Sequence, residues 1–165
     1  MRRLVLSLLV VSMSASAATI FTATLLGANE VPPRVTPGFG FATVVLNDAE
    51  TMIQVDVSFE DLITPNQAAH IHCCTPPGAN APVRVDFAPD FPSGQTSGVF
   101  SKMYAIPSAE FLAGLKGGLT YVNIHTPTWP GGEIRGQLNQ VPEPGTMALA
   151  LAGGVLLFAR LRRSR

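Results

Sequence analysis

Apolar and polar residues alternate with a period of two along most of the stretch from Thr19 to Leu138. That is the mark of strands with one buried and one wet face. Phe21, Ala23 and Leu25 interleave with Ile20, Thr22 and Thr24. Gly38–Leu46 and Met52–Phe59 are rich in β-branched and aromatic residues, with Asn47-Asp48 as the turn between them. In the second of these, Ile53, Val55, Val57 and Phe59 share one face. Ala68–His72, Val83–Phe87 and Gly98–Tyr104 are further short strands. Tyr121–Leu138 reads as a hairpin. Val122 and Ile124 alternate with Tyr121, Asn123 and His125. Pro127, Pro130, Gly131 and Gly132 then break the run over a loop of about six residues, and a new strand opens at Glu133. Ser108–Leu115 is the one helix, capped by Ser108 and ended by Gly117-Gly118. The pattern predicts an all-β fold, an antiparallel Greek-key sandwich or barrel with one short helix.

Two terminal stretches do not alternate. Residues 1–17 carry Arg2 and Arg3, an apolar Leu4–Val11 and the small residues Ala15-Ser16-Ala17, the layout of a secretory signal peptide. The β domain is therefore expected over 18–139. From residue 140 onward come Val141-Pro142-Glu143-Pro144, an apolar Thr146–Ala159 and a cluster of four arginines, Arg160, Arg162, Arg163 and Arg165. This predicts a short single transmembrane helix whose basic end stays cytoplasmic, leaving the domain outside.

The formal net charge of zero hides that distribution. Six of the eleven basic residues sit in the terminal stretches, so residues 18–142 hold five basic and ten acidic side chains, about −5 net. A nucleic-acid partner is excluded, because such binding rests on neutralising phosphates with Lys and Arg.

Candidate chemistry is sparse. His70 and His72 are two apart on a strand and face one way. His125 ends another strand. If the strands are neighbours, the three imidazoles either converge on a copper or zinc ion or lock strand ends through backbone hydrogen bonds. A short ring separation between His72 and His125, with open nitrogens, would mark the metal site. Cys73-Cys74 is read as a vicinal disulfide or a free pair, with thiolate ligation as a third reading. Glu133 and Arg135 are expected in solvated surface pairs worth under about 1 kcal/mol. Trp129 is either a ligand-stacking platform or a plug at the barrel end. No nucleophile–base constellation or phosphate loop is visible, so no catalytic residue is assigned and the protein is read as a non-enzyme.

Pro142, Glu143 and Pro144, followed by the apolar span and the arginines, resemble a PEP-CTERM sorting signal. The resemblance implies a Gram-negative bacterium, an exosortase as processing partner, and residence either at the inner membrane or at the cell surface after cleavage. Leu26–Pro33, Ala69–His72, Tyr121–Thr126 and Pro130–Leu138 together resemble the CHRD domain, an extracellular β domain. Cys73-Cys74 departs from the Gly-rich turn usual there. The His-x-His strand is also similar to a copper-ligand strand of copper–zinc superoxide dismutase, but three histidines are too few for that enzyme's binuclear site. The expectation is an exported surface or biofilm-matrix protein with a binding or structural role, exopolysaccharide being one candidate partner. A metal-binding, redox-related domain is the alternative.

Overall fold

In the computed structural model, which describes residues 18–142, the period-two pattern becomes burial strand by strand. The signal peptide, Glu143, Pro144 and the transmembrane helix expected from the sequence lie outside the described residues. Strands β1 (Thr19–Leu26), β2 (Phe39–Leu46) and β3 (Met52–Glu60) form an antiparallel meander. Their inward residues Phe21, Leu25, Val44, Ile53 and Val55 are fully buried. The remaining strands are β4 (Ala68–Cys73), β5 (Val83–Asp86), β6 (Gly98–Ala105), β7 (Thr120–His125), β8 (Ile134–Gln137) and the two-residue β9 (Asn139–Gln140). The order in the sheet is β5-β4-β7-β8-β1-β2-β3-β6, with β9 added to β1. The sheet rolls into a nearly closed antiparallel barrel, so of the two expected architectures the chain takes the barrel.

The gap between the edge strands β5 and β6 is filled by aromatic packing. Phe87 stacks on Phe100 at 5.1 Å and Phe91 on Phe59 at 5.5 Å. Each such ring taken from water contributes roughly 1.5–3 kcal/mol. Helix α1 (Ala109–Lys116) begins where expected, Ser108 accepting the Phe111 N–H at 3.1 Å. Phe111 and Leu115 anchor it in the core. Gly114 turns to the sheet at Cys73 and Cys74, and a Cβ there would fall under 3.0 Å from both sulfurs. The two cysteines are bonded to each other as a vicinal disulfide. Cys73 is fully buried on the core side, away from the histidines' face.

The β7–β8 hairpin departs from expectation in its loop and in its outer face. The loop runs from residue 126 to 133, and Glu133 precedes β8 instead of opening it. Glu133 and Arg135 are not solvated. They are 0% and 5% exposed, because the chain after β1 and the chain after β4 fold over the outer face of β4, β7 and β8. Glu133 Oε1 accepts from the Thr36 hydroxyl at 2.5 Å and the Ile63 N–H at 2.8 Å. Its Oε2 accepts from the Thr126 hydroxyl at 2.8 Å. One carboxylate thus ties three loops together.

Candidate metal centre

Register decides which polar side chains meet. β4 and β7 are neighbours, with Ala68 opposite His125, His70 opposite Asn123 and His72 opposite Tyr121. β8 adds Arg135 opposite Asn123, and β5 adds Asp86 opposite His70. All these side chains fall on the outer face of the sheet. Loops roof that face, so it is polar and buried together. His72 is 8% exposed, His125 9%, Asn123 1% and Tyr121 2%.

His70 and His125 are the close pair. Their rings lie 4.8 Å apart, and His70 Nδ1 faces His125 Nε2 at 3.0 Å. The far nitrogen of each ring has its own acceptor. His125 Nδ1 donates to the Pro130 carbonyl at 2.9 Å, which leaves Nε2 as a lone pair. His70 Nε2 lies 3.6 Å from the Asp86 carboxylate. A neutral His70 has a single N–H to offer. If Nδ1 carries it, the Nε2 lone pair faces a carboxylate. If Nε2 carries it, two lone pairs face each other across 3.0 Å. A second proton would satisfy both contacts, but burial, helped by His125 and His72, pushes the His70 pKa down to about 4 against the pull of Asp86. His70 and His125, with His72, are the residues that would hold a metal ion on this face.

His72 is held differently. Its Nδ1 donates to the Ala81 carbonyl at 2.7 Å, and its Nε2 lies 3.0 Å from Asn123 Oδ1. Its ring stacks on Tyr121 at 4.7 Å and sits 6.3 Å from the His125 ring. The separation singled out from the sequence is therefore wide, and the short one belongs to His70. One nitrogen from each of the three rings still lies within 4.8 Å of the others. Burial lowers the pKa of His72 and of His125, which favours the neutral ring at both.

Beside the histidines runs a buried ion pair. Arg135 Nη2 lies 3.0 Å from Glu30 Oε2 and donates to Asn80 Oδ1 at 2.7 Å, and the guanidinium sits 4.0 Å over the Tyr121 ring. Burial raises the Glu30 pKa, opposed first by the Arg135 charge. Trp129 is half-buried in the 126–133 loop, with the Arg34 guanidinium 4.6 Å over its ring, so one of its faces is already taken. The disulfide faces the core, so the cysteine sulfurs stand apart from the imidazoles.

The model of the CHRD domain matches residues 21–138. The chain belongs to the CHRD-domain family. The PEP-CTERM protein-sorting motif matches residues 140–164, and it implies exosortase-dependent export with membrane anchoring or surface location. No curated protein and no solved structure matches the chain. Among the described residues, no helix is long and apolar enough to cross a membrane.

The CHRD barrel brings His70, His72 and His125 onto one buried face, and sets Trp129 and the cysteines elsewhere. Sequence reasoning missed Asp86 and Glu30 as members of that face. Asp86 carried a signal: with Arg84 it is one of two charged residues in a strand otherwise read for its valines. Asn123 is placed on the face of Tyr121 and His125 by their shared alternation, as found. Glu30 lies in the Pro-rich run after β1, where alternation is lost.

Proposed function

We propose that this protein is a non-enzymatic binding module of the cell surface or biofilm matrix, and that its CHRD domain binds a copper or zinc ion through His70 and His125, with His72 as third ligand. The observation that supports this reading is the 3.0 Å approach of His70 Nδ1 to His125 Nε2, each ring backed by an acceptor at its far nitrogen. Carboxylate- or carbonyl-backed imidazoles are the usual arrangement behind metal-bound histidines. His72 joins by turning its Nε2 away from Asn123. A structural role is the second reading, and it is favoured at His72, whose Nδ1 donates to the Ala81 carbonyl and whose ring stacks on Tyr121. The remaining motif residues support a non-catalytic domain: Glu133, Glu30 and Arg135 are used in holding loops.

Calorimetric titration with Cu(II) and Zn(II) tests the proposal. Binding at micromolar affinity or tighter is expected, lost in the His70→Ala/His125→Ala double variant. Weaker binding, or equal binding by the variant, removes the metal reading and leaves the structural one. For sorting, Glu143→Ala should leave the chain unprocessed. Unchanged processing and location would count against an exosortase as partner.

A further inference from the structure

The chain leaves the barrel at a fixed point. β9 pairs with β1, and the Val141 N–H donates to the Ile20 carbonyl at 2.8 Å, so the exit is held on the barrel wall where β1 begins. Only residues 143–145 separate Pro142 from Thr146, the first residue of the apolar run expected to anchor the chain. Those four steps reach about 13–14 Å at full extension. The headgroup layer takes up about 5–8 Å of that distance. While the tail is attached, the exit end of the barrel therefore rests at the bilayer surface.

Register shows what that end presents. Ile20 lies opposite Val45, Val45 opposite Gln54 and Gln54 opposite Met103, with Val141 beside Ile20. This level of the outer face crosses five strands, a width of about 19 Å, and is apolar but for Gln54. Ile20, Val141 and Met103 are 39%, 40% and 56% exposed. Val45, Met52 and Met103 also line a shallow hollow at the same end. The next level along the strands is wholly polar: Thr22, Thr43, Asp56 and Ser101. There Asp56 accepts from the Ser101 hydroxyl at 2.6 Å and the Gln54 amide at 3.1 Å. A separate apolar pair, Phe41 and Val99, lies beyond that polar level, about 13 Å along the strands from Ile20.

We propose that the row Val141, Ile20, Val45 and Met103 is a membrane-contact surface, seated on the lipid that holds the tail. A three-residue connection keeps the row at high effective concentration against the bilayer. Charge does not supply the contact, because residues 18–142 carry about −5 and are not drawn to an anionic leaflet. The seating turns the candidate metal centre away from the membrane. His70 is opposite Asn123, Asn123 opposite Arg135 and Arg135 opposite Leu26, which is about 20 Å along β1 from Ile20. The proposal rests on the anchor expected at Thr146–Ala159 and is independent of the metal.

The test uses the full chain reconstituted in phosphatidylcholine–phosphatidylglycerol vesicles, with a nitroxide on Met103→Cys or on Phe41→Cys and the native disulfide left oxidised. Flotation with the vesicles checks the anchor. Electron paramagnetic resonance reads collision with a water-soluble nickel chelate present on both faces of the bilayer. Collision should be several-fold lower at Met103 than at Phe41, two sites that are 56% and 47% exposed. A flexible Gly-Ser insertion of about ten residues after Pro142 should raise the Met103 value to that of Phe41. A chain that does not float removes the anchor and the proposal with it. A chain that floats with equal collision at both sites, or with the lower value at Phe41, overturns the contact alone. So does protection at Met103 that grows with the protein-to-lipid ratio, which would mark a second copy on the row.

Discussion

Glu133→Ala separates two accounts of the hairpin by size alone. A solvated strand-surface carboxylate contributes under about 1 kcal/mol. The buried one found here accepts from Thr36, Ile63 and Thr126 at 2.5–2.8 Å and is 0% exposed. Three hydrogen bonds to a charged acceptor are worth about 1.5–3 kcal/mol each, so the gross loss is roughly 5–9 kcal/mol. Against this, the carboxylate no longer has to be desolvated, and the two hydroxyls can turn to water that enters the vacated space. The Ile63 N–H has no such freedom to rotate. A net loss of about 3–5 kcal/mol follows, comparable to breaking other buried charged contacts. For a domain of this length that lowers Tm by roughly 12–20 °C. Glu133→Gln keeps the shape and one good acceptor, and should lose about 1–2 kcal/mol. Urea denaturation of parent and both variants, followed by circular dichroism, gives the values. A loss below 1 kcal/mol for Glu133→Ala would refute the three-loop clamp.

Three further predictions concern the neighbouring elements. Gly114→Ala should destabilise by about 1–2 kcal/mol, since crowding against both sulfurs outweighs the gain in helix propensity; a more stable variant in thermal melts would contradict the packing. The metal-free protein should lose stability as pH falls from 6.5 towards 4. His70, His72 and His125 have folded pKa values below their unfolded 6.5, so the unfolded state takes up protons first, each group contributing at most about 1.4 kcal/mol per pH unit, while the raised Glu30 acts in the opposite sense. A urea midpoint that rises over that window would contradict the assignment of neutral imidazoles. Asp86→Asn should weaken metal binding about 10–100-fold without altering the fold, as loss of a carboxylate behind a ligating histidine does; unchanged affinity would mean that Asp86 does not orient His70.

The parts legible in the sequence are those set by local rules. Alternation and β-branched content located every long strand, and alternation gave the inward face of β3, because a side chain's face depends only on its parity. The Ser108 cap located the helix within a residue. The position of Glu133 and Arg135 on one face was readable in the same way, but their burial was not. It depends on where the chains after β1 and β4 travel, and Pro32, Pro33, Pro76 and Pro77 carry no period from which to tell. The same loops bring Glu30 to Arg135 and the Ala81 carbonyl to His72. For the histidines, parity gave the common face, while the partner of His125 depended on register. With Ala68 opposite His125, His70 is the nearer imidazole and His72 is left to Asn123. That register comes from packing around the whole barrel.

The central claim is a metal bound by imidazoles on the outer face of β4 and β7. Its most direct test is X-ray absorption and pulsed EPR on the protein loaded with one equivalent of Cu(II) and dialysed. The account predicts retained copper with imidazole nitrogens of His70 and His125 at about 2.0 Å, and a third nitrogen that disappears in His72→Ala. Copper lost on dialysis, or a spectrum with fewer than two imidazoles that is unchanged in His125→Ala, would contradict it.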